Sequence, residues 1–147
     1  MGTSIIALQY VGPGVAEIWP RVEPLIEAGL MAGLGERTVD DIRQAIIEEK
    51  SQLFVWRDDR QVHAVLVTAI VQYPQYRSVF VEVMAGRGML QFMKEYWQPF
   101  CLWAEANGAK VLEGATQPTV TRLLKRVGMR KVYDTVRYSL ERPNVCS

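Results

Sequence analysis

The long run from Val62 to Gln72 is apolar on both parities, with Val62, Ala64, Leu66 and Ile70 on one side and Val65, Val67, Ala69 and Val71 on the other. A strand covered on both faces has that pattern, so the run predicts the centre of a sheet with layers above and below it. Leu53 to Arg57 predicts a short strand before it, joined through the turn residues Asp58-Asp59-Arg60-Gln61. Arg77 to Met84, rich in β-branched residues, predicts a strand after it, joined through Tyr73-Pro74-Gln75-Tyr76. These three strands make an antiparallel meander. Ser4 to Tyr10 predicts a first strand, closed by Gly12-Pro13-Gly14.

Helical spacing governs the other segments. Between Val15 and Leu30 the apolar set Ile18, Trp19, Val22, Leu25, Ile26 and Leu30 keeps one face, while Pro20 and Pro24 must kink the helix or delay its start. Thr38 stands three residues before Asp41, which predicts an approximate capping box, and Val39, Ile42 and Ile46 continue as a second helix ending near Lys50. After Ala85-Gly86-Arg87-Gly88, the residues Leu90, Met93, Trp97, Phe100, Cys101 and Ala104 predict a helix of nearly twenty residues, bent by Pro99 and stopped by Asn107-Gly108. Lys110 to Gly114 predicts a strand, Pro118 or Thr119 opens a helix through Leu123 and Leu124, and Gly128 ends it. Met129 to Tyr133 and Thr135 to Leu140 predict a closing hairpin. Strand, helix, strand is a crossover, so a parallel pair joins an antiparallel half: an α/β fold with a mixed sheet and about four helices.

Length and composition bound this picture. A chain of 147 residues, 49% hydrophobic, suits one domain spanning 1–147 with a single well-filled core. The stretch from Ala64 to Val71 is far too short for a membrane helix, and no basic region precedes an apolar run at the N-terminus, so a cytosolic protein is expected. Cys101 and Cys146 are too far apart in sequence to form a ligand pattern or a disulfide framework. Net charge is +1, but residues 1 to 59 carry ten acids against five bases, and Arg122 to Arg142 is strongly basic. That basic third suits a phosphate-bearing cofactor, an acidic partner or a plain solvated face. Nucleic acid is a poor fit, because the helix around Lys125-Arg126 lacks interleaved aromatic residues.

The element order, over nearly the whole chain, resembles the GNAT superfamily of N-acetyltransferases. Trp97, the segment Leu102-Trp103-Ala104-Glu105-Ala106-Asn107-Gly108-Ala109, then Arg122-Leu123-Leu124 and Val127-Gly128-Met129 are similar to small GNAT-like proteins of tailed bacteriophages. The resemblance implies acetyl-CoA as cofactor, its pyrophosphate on backbone amides at the start of the long helix. It implies Met84, Gly86, Arg87, Gly88 and Met89 as the cofactor-binding residues and Glu82 as the catalytic base. Two departures stand beside it. The family's glycine signature is reduced to Gly86-Arg87-Gly88 directly after the strand, and Leu124 occupies the place, four residues before the terminating glycine, where many members carry a Tyr that protonates the departing thiolate. Two functions follow: acetyl transfer to an amine substrate, or a catalytically inactive assembly component of a phage particle, partnered by itself as a homo-oligomer or by phage structural proteins.

Each singled-out residue has a plainer reading. Glu82 is either a general base or a paired strand glutamate. His63, the only histidine, has no ligand pattern around it, so metal binding is not expected and a satisfied strand-end histidine is. Arg87 either contacts a phosphate or is an exposed helix-start residue. Tyr133 and Tyr138 either reach a substrate cleft or pack within the hairpin, and part of the aromatic set Phe92, Tyr96, Trp97, Phe100 and Trp103 either faces a partner chain or is wrapped by the sheet.

Overall fold

A computed structural model describes residues 7–141 apart from 32 and 34. Five strands lie in sequence order across one sheet: β1 (Ala7–Val11), β2 (Gln52–Arg57), β3 (Val62–Gln72), β4 (Arg77–Gly86) and β5 (Ala109–Gly114). The first four are antiparallel neighbours and β4–β5 is parallel. Residues 4–6 of the expected first strand lie outside the described residues.

The two parities of β3 serve two separate cores, as its double-sided pattern requires. On one face, α1 (Trp19–Leu30) and α2 (Val39–Ile47) bury Val22, Ile26, Ile42 and Ile46 against Leu53, Val55, Val65, Val67 and Val83. On the other, α3 (Met89–Ala106) and α4 (Pro118–Lys125) bury Phe92, Met93, Phe100 and Leu124 against Phe54, Trp56, Leu66, Val79 and Val81. Each such side chain removed from water contributes about 1.5–3 kcal/mol. Tyr96, Trp97 and Trp103, each half-buried, also pack against this second core, so all five aromatic residues of α3 contribute to it.

Local chemistry sets the helix limits. Val15–Glu17 forms a single tight 3-10 turn, and α1 begins only at Trp19, with Pro20 in its first turn, where no backbone donor is lost. Both α1 and α3 run on through their internal prolines, Pro24 and Pro99. The capping box forms in full: the Asp41 amide donates to Thr38 Oγ1 at 3.2 Å and the Thr38 amide to Asp41 Oδ2 at 2.8 Å. Gly108 and Gly128 take up left-handed φ values of 83° and 95° just past α3 and α4.

The closing hairpin is absent. Residues 129–141 carry no strand, and Val132, Tyr133, Val136, Tyr138 and Leu140 are 66% to 90% exposed. Alternation of apolar and polar residues expresses a preference for extended backbone, but a hairpin is held by an apolar face packed on something, and here those side chains stay in solvent while the outer edge of β5 is unpaired among the described residues. Tyr133 and Tyr138 accordingly neither pack in a hairpin nor enter a cleft.

Candidate functional site

Two irregularities in the ladders position the site. Between Val67↔Val83 and Thr68↔Val81 the β3–β4 register slips by one, which leaves Glu82 as an extra residue in β4. The slip reverses the parity of β4, since Val79 and Val81 face the α3 core whereas Val83 faces the α1 core. Bulges of this kind re-aim a side chain, here a carboxylate. The second irregularity is the length of β5: it pairs with β4 only from Arg77 to Val81, so from Glu82 onward the β5-side edge of β4 has no strand neighbour among the described residues.

The paired end is firmly tied. Arg77 donates through Nη1 to the Asn107 carbonyl at 2.8 Å and through Nε to Gln72 Oε1 at 2.9 Å, which joins the end of α3 to the start of β4. Tyr73 Oη donates to Glu113 Oε1 at 2.5 Å, and that bond, with burial second, pushes the phenol up to about 12. The sheet is thus closed at the start of β4 and open at its end.

Glu82 sits at the opening with its side chain 10% exposed. Ser51 Oγ donates to its Oε1 at 2.6 Å, and the Arg37 guanidinium pairs with its Oε2. Ser51 is placed by the tight exit from α2, where the Lys50 and Ser51 amides both donate to the Ala45 carbonyl. Neither partner stood out in the sequence. Arg37 did leave one weak signal: a cation directly before a helix N-terminus opposes the helix dipole, though Asp40 and Asp41 in the first turn offset it.

At the end of β4, Gly86 has φ 127°, and Gly88, at φ 67°, is the N-cap of α3 with no side chain capping it. The first-turn amides of a helix have no intrahelical acceptor. Of the expected cofactor loop, the Arg87 amide is used internally, donating to the His63 carbonyl at 2.8 Å, which leaves the donors to Gly88, Met89 and the residues of that first turn. The Arg87 side chain is exposed, whereas Met84 is half-buried and packs against the α3 core. Leu124 is buried in the same core, so α4 presents hydrocarbon at that position.

His63 is a satisfied strand-end histidine: its Nε2 bonds Asp58 Oδ2 at 2.9 Å. Asp58 also accepts from the Arg60 and Gln61 amides, and the His63 bond, followed by the Gln61 and Arg60 amides, holds its carboxyl down at about 2. A group depressed in the folded state contributes stability that is complete above its unfolded value near 4 and lost as pH falls through 2. Comparing wild type with Asp58→Asn, we expect a melting-temperature gap that closes as pH falls from about 4 to 2. A gap that persists at pH 2 counts against the bond. Among the described residues there is no cluster of three His, Cys, Asp or Glu able to hold a metal ion, and no helix is long and apolar enough to cross a membrane.

Sheet order, the one parallel pair among the described residues and the helices on both faces match a GNAT-like fold. Among solved structures the chain is similar to a tetramutant of the BH1408 protein of Bacillus halodurans, with a TM-score of 0.70 at 16% identity over 91% of this chain and 99% of that one. It is also similar to a predicted acetyltransferase with acetyl-CoA from Clostridium acetobutylicum, TM-score 0.68 at 7% identity over 92% and 97%. A third is the aminoglycoside N-acetyltransferase AAC(6')-Iy in complex with CoA, TM-score 0.66 at 15% identity over 94% and 96%. No family model matches the sequence, and no curated protein does.

Proposed function

We propose that this protein is an acetyl-CoA-dependent N-acetyltransferase acting on an amine. The observation that carries the reading is the unpaired edge of β4 beyond Val81, with the enclosed carboxylate of Glu82 at one side and the uncapped start of α3 at its end. The solved neighbours with acetyl-CoA or CoA support it. Acetyl-CoA, when bound, supplies an activated acyl group on a thiol leaving group. The Gly88 and Met89 amides and the α3 dipole hold its pyrophosphate, Gly86 lets the backbone turn into the helix, Arg87 adds charge from solvent, and Met84 lines the approach. Glu82, directly or through a water, accepts the proton of the incoming ammonium, and positioning of the amine supplies much of the remaining rate. With Leu124 in place of a proton donor, α4 offers no acid there, so the second proton the nitrogen loses on acylation would reach the leaving sulfur through solvent.

Thermal melting with and without millimolar acetyl-CoA tests this. Ligand at about 100 times its Kd stabilises the native state by about 2.7 kcal/mol, an increase of roughly 5 °C or more for a chain this size. No shift at millimolar concentration sinks the reading.

A second reading keeps the fold without the transfer: an assembly component, such as a part of a bacteriophage particle, that docks through its C-terminal segment. Its support is the exposed apolar set from Val132 to Leu140, together with Leu124. An unshifted melt combined with self-association in sedimentation favours it over the enzyme.

A further inference from the structure

Arg37 and Glu82 form an unequal pair. The acid is fixed: it sits on a bulge of a central strand, accepts from Ser51 and is 10% exposed. Beside it α1 lies hard against β4, where a Cβ on Gly29 would come within 2.7 Å of Val83. The base is neither on a helix nor on a strand, lies in the connection between α1 and α2, and is 36% exposed. Its local surroundings divide: it precedes the positive end of α2, which opposes it, while Asp41 in the first turn of that helix attracts it. Its neighbour Glu36 is held in turn by Arg137 of the C-terminal segment at 3.3 Å, a contact between exposed side chains. A buried anion with a displaceable surface cation is the arrangement of a cation-binding site closed by the protein's own side chain.

We propose that Arg37 occupies the acceptor's ammonium position, so that a cationic amine reaches Glu82 only by displacing it, and that the Glu36–Arg37 segment, moored by Arg137, is the strap that admits such amines. The inference rests on reading Glu82 as the acceptor site and makes Arg37 the residue that sets specificity there: the substrate class is a primary amine, positively charged at neutral pH. A guanidinium and an ammonium compete for the same oxygen, and the internal one has the advantage of being tethered. Removing it leaves a desolvated carboxylate that any small cation can satisfy.

The probe is 1,4-diaminobutane, titrated calorimetrically into wild type, Arg37→Gln, Arg37→Lys, Glu82→Gln and the Arg37→Gln/Glu82→Gln double variant. We expect Arg37→Gln to bind the diamine at least tenfold more tightly than wild type, and Arg37→Lys, which keeps a resident cation, to stay within threefold of wild type. In the Glu82→Gln background the Arg37 substitution should change nothing, because the two residues act on one site. Equal or weaker binding by Arg37→Gln overturns the proposal, as does a gain that survives without Glu82. Should Arg37→Gln not fold, Arg137→Ala loosens the mooring from outside the site, and an unchanged diamine affinity there overturns it too. A chain that shows this pattern but takes up no acetyl-CoA retains the cation site and loses only the transferase reading.

Discussion

Gly86→Ala is expected to destabilise the protein by about 3–5 kcal/mol, enough to remove a large part of the stability of a domain this size. Gly86 adopts φ 127°, and a Cβ built there would lie 2.3 Å from the His63 carbonyl oxygen and 2.5 Å from Ala64 Cα. Both obstacles are backbone of the neighbouring strand, in register with Gly86 itself, so no side-chain rotation relieves them. Strain of this conformation alone costs about 1–3 kcal/mol, and the ladder must open further to admit the methyl group. Equilibrium urea unfolding measures the effect, and a loss under about 1 kcal/mol means the end of β4 is slack. The same change should erase the acetyl-CoA melting shift, because the hinge it distorts leads directly into α3.

Glu82→Gln should lower turnover by about a hundredfold or more, the usual contribution of a positioned general base. Glutamine keeps an oxygen to accept from Ser51 but gives up both the proton-accepting ability and the counter-charge of Arg37. The assay is release of free thiol from acetyl-CoA over a panel of primary amines, with the acetyl-CoA melting shift as control. A lost activity with an intact shift assigns the role to Glu82. Activity within threefold of wild type removes Glu82 from the chemistry and returns it to the part of a paired strand residue.

Much of the fold was legible because its signals are local. The two-sided run in β3 specified a central strand at the observed limits, Thr38 and Asp41 announced α2, and Gly108 and Gly128 marked helix ends. Glu82 was singled out by its place in a strand with a counterpart in the resembled family, and the structure encloses it beside Ser51 and Arg37, while its role is the proposal made above. What escaped depends on residues far apart in the chain. The register slip that leaves Glu82 unpaired with β3 has no composition of its own, since Val81, Glu82 and Val83 read as ordinary alternation. Ser51 and Arg37 lie 31 and 45 positions from the carboxylate they contact, and only the folded sheet brings them to it. The closing hairpin was expected over Met129 to Tyr133 and Thr135 to Leu140, a one-dimensional signal that says nothing about whether the apolar side chains find a surface to pack on.

The contrast between the two ends of the β4–β5 pair has a mechanical consequence. The ladder is fastened by Tyr73 on Glu113 and by Arg77, and it stops at Val81 because β5 ends at Gly114, so β4 from Glu82 to Gly86 keeps a bare edge among the described residues. A guest lying along that edge sacrifices no existing ladder bonds, because none span that stretch. A thin, amide-bearing molecule can therefore complete the row as a surrogate strand.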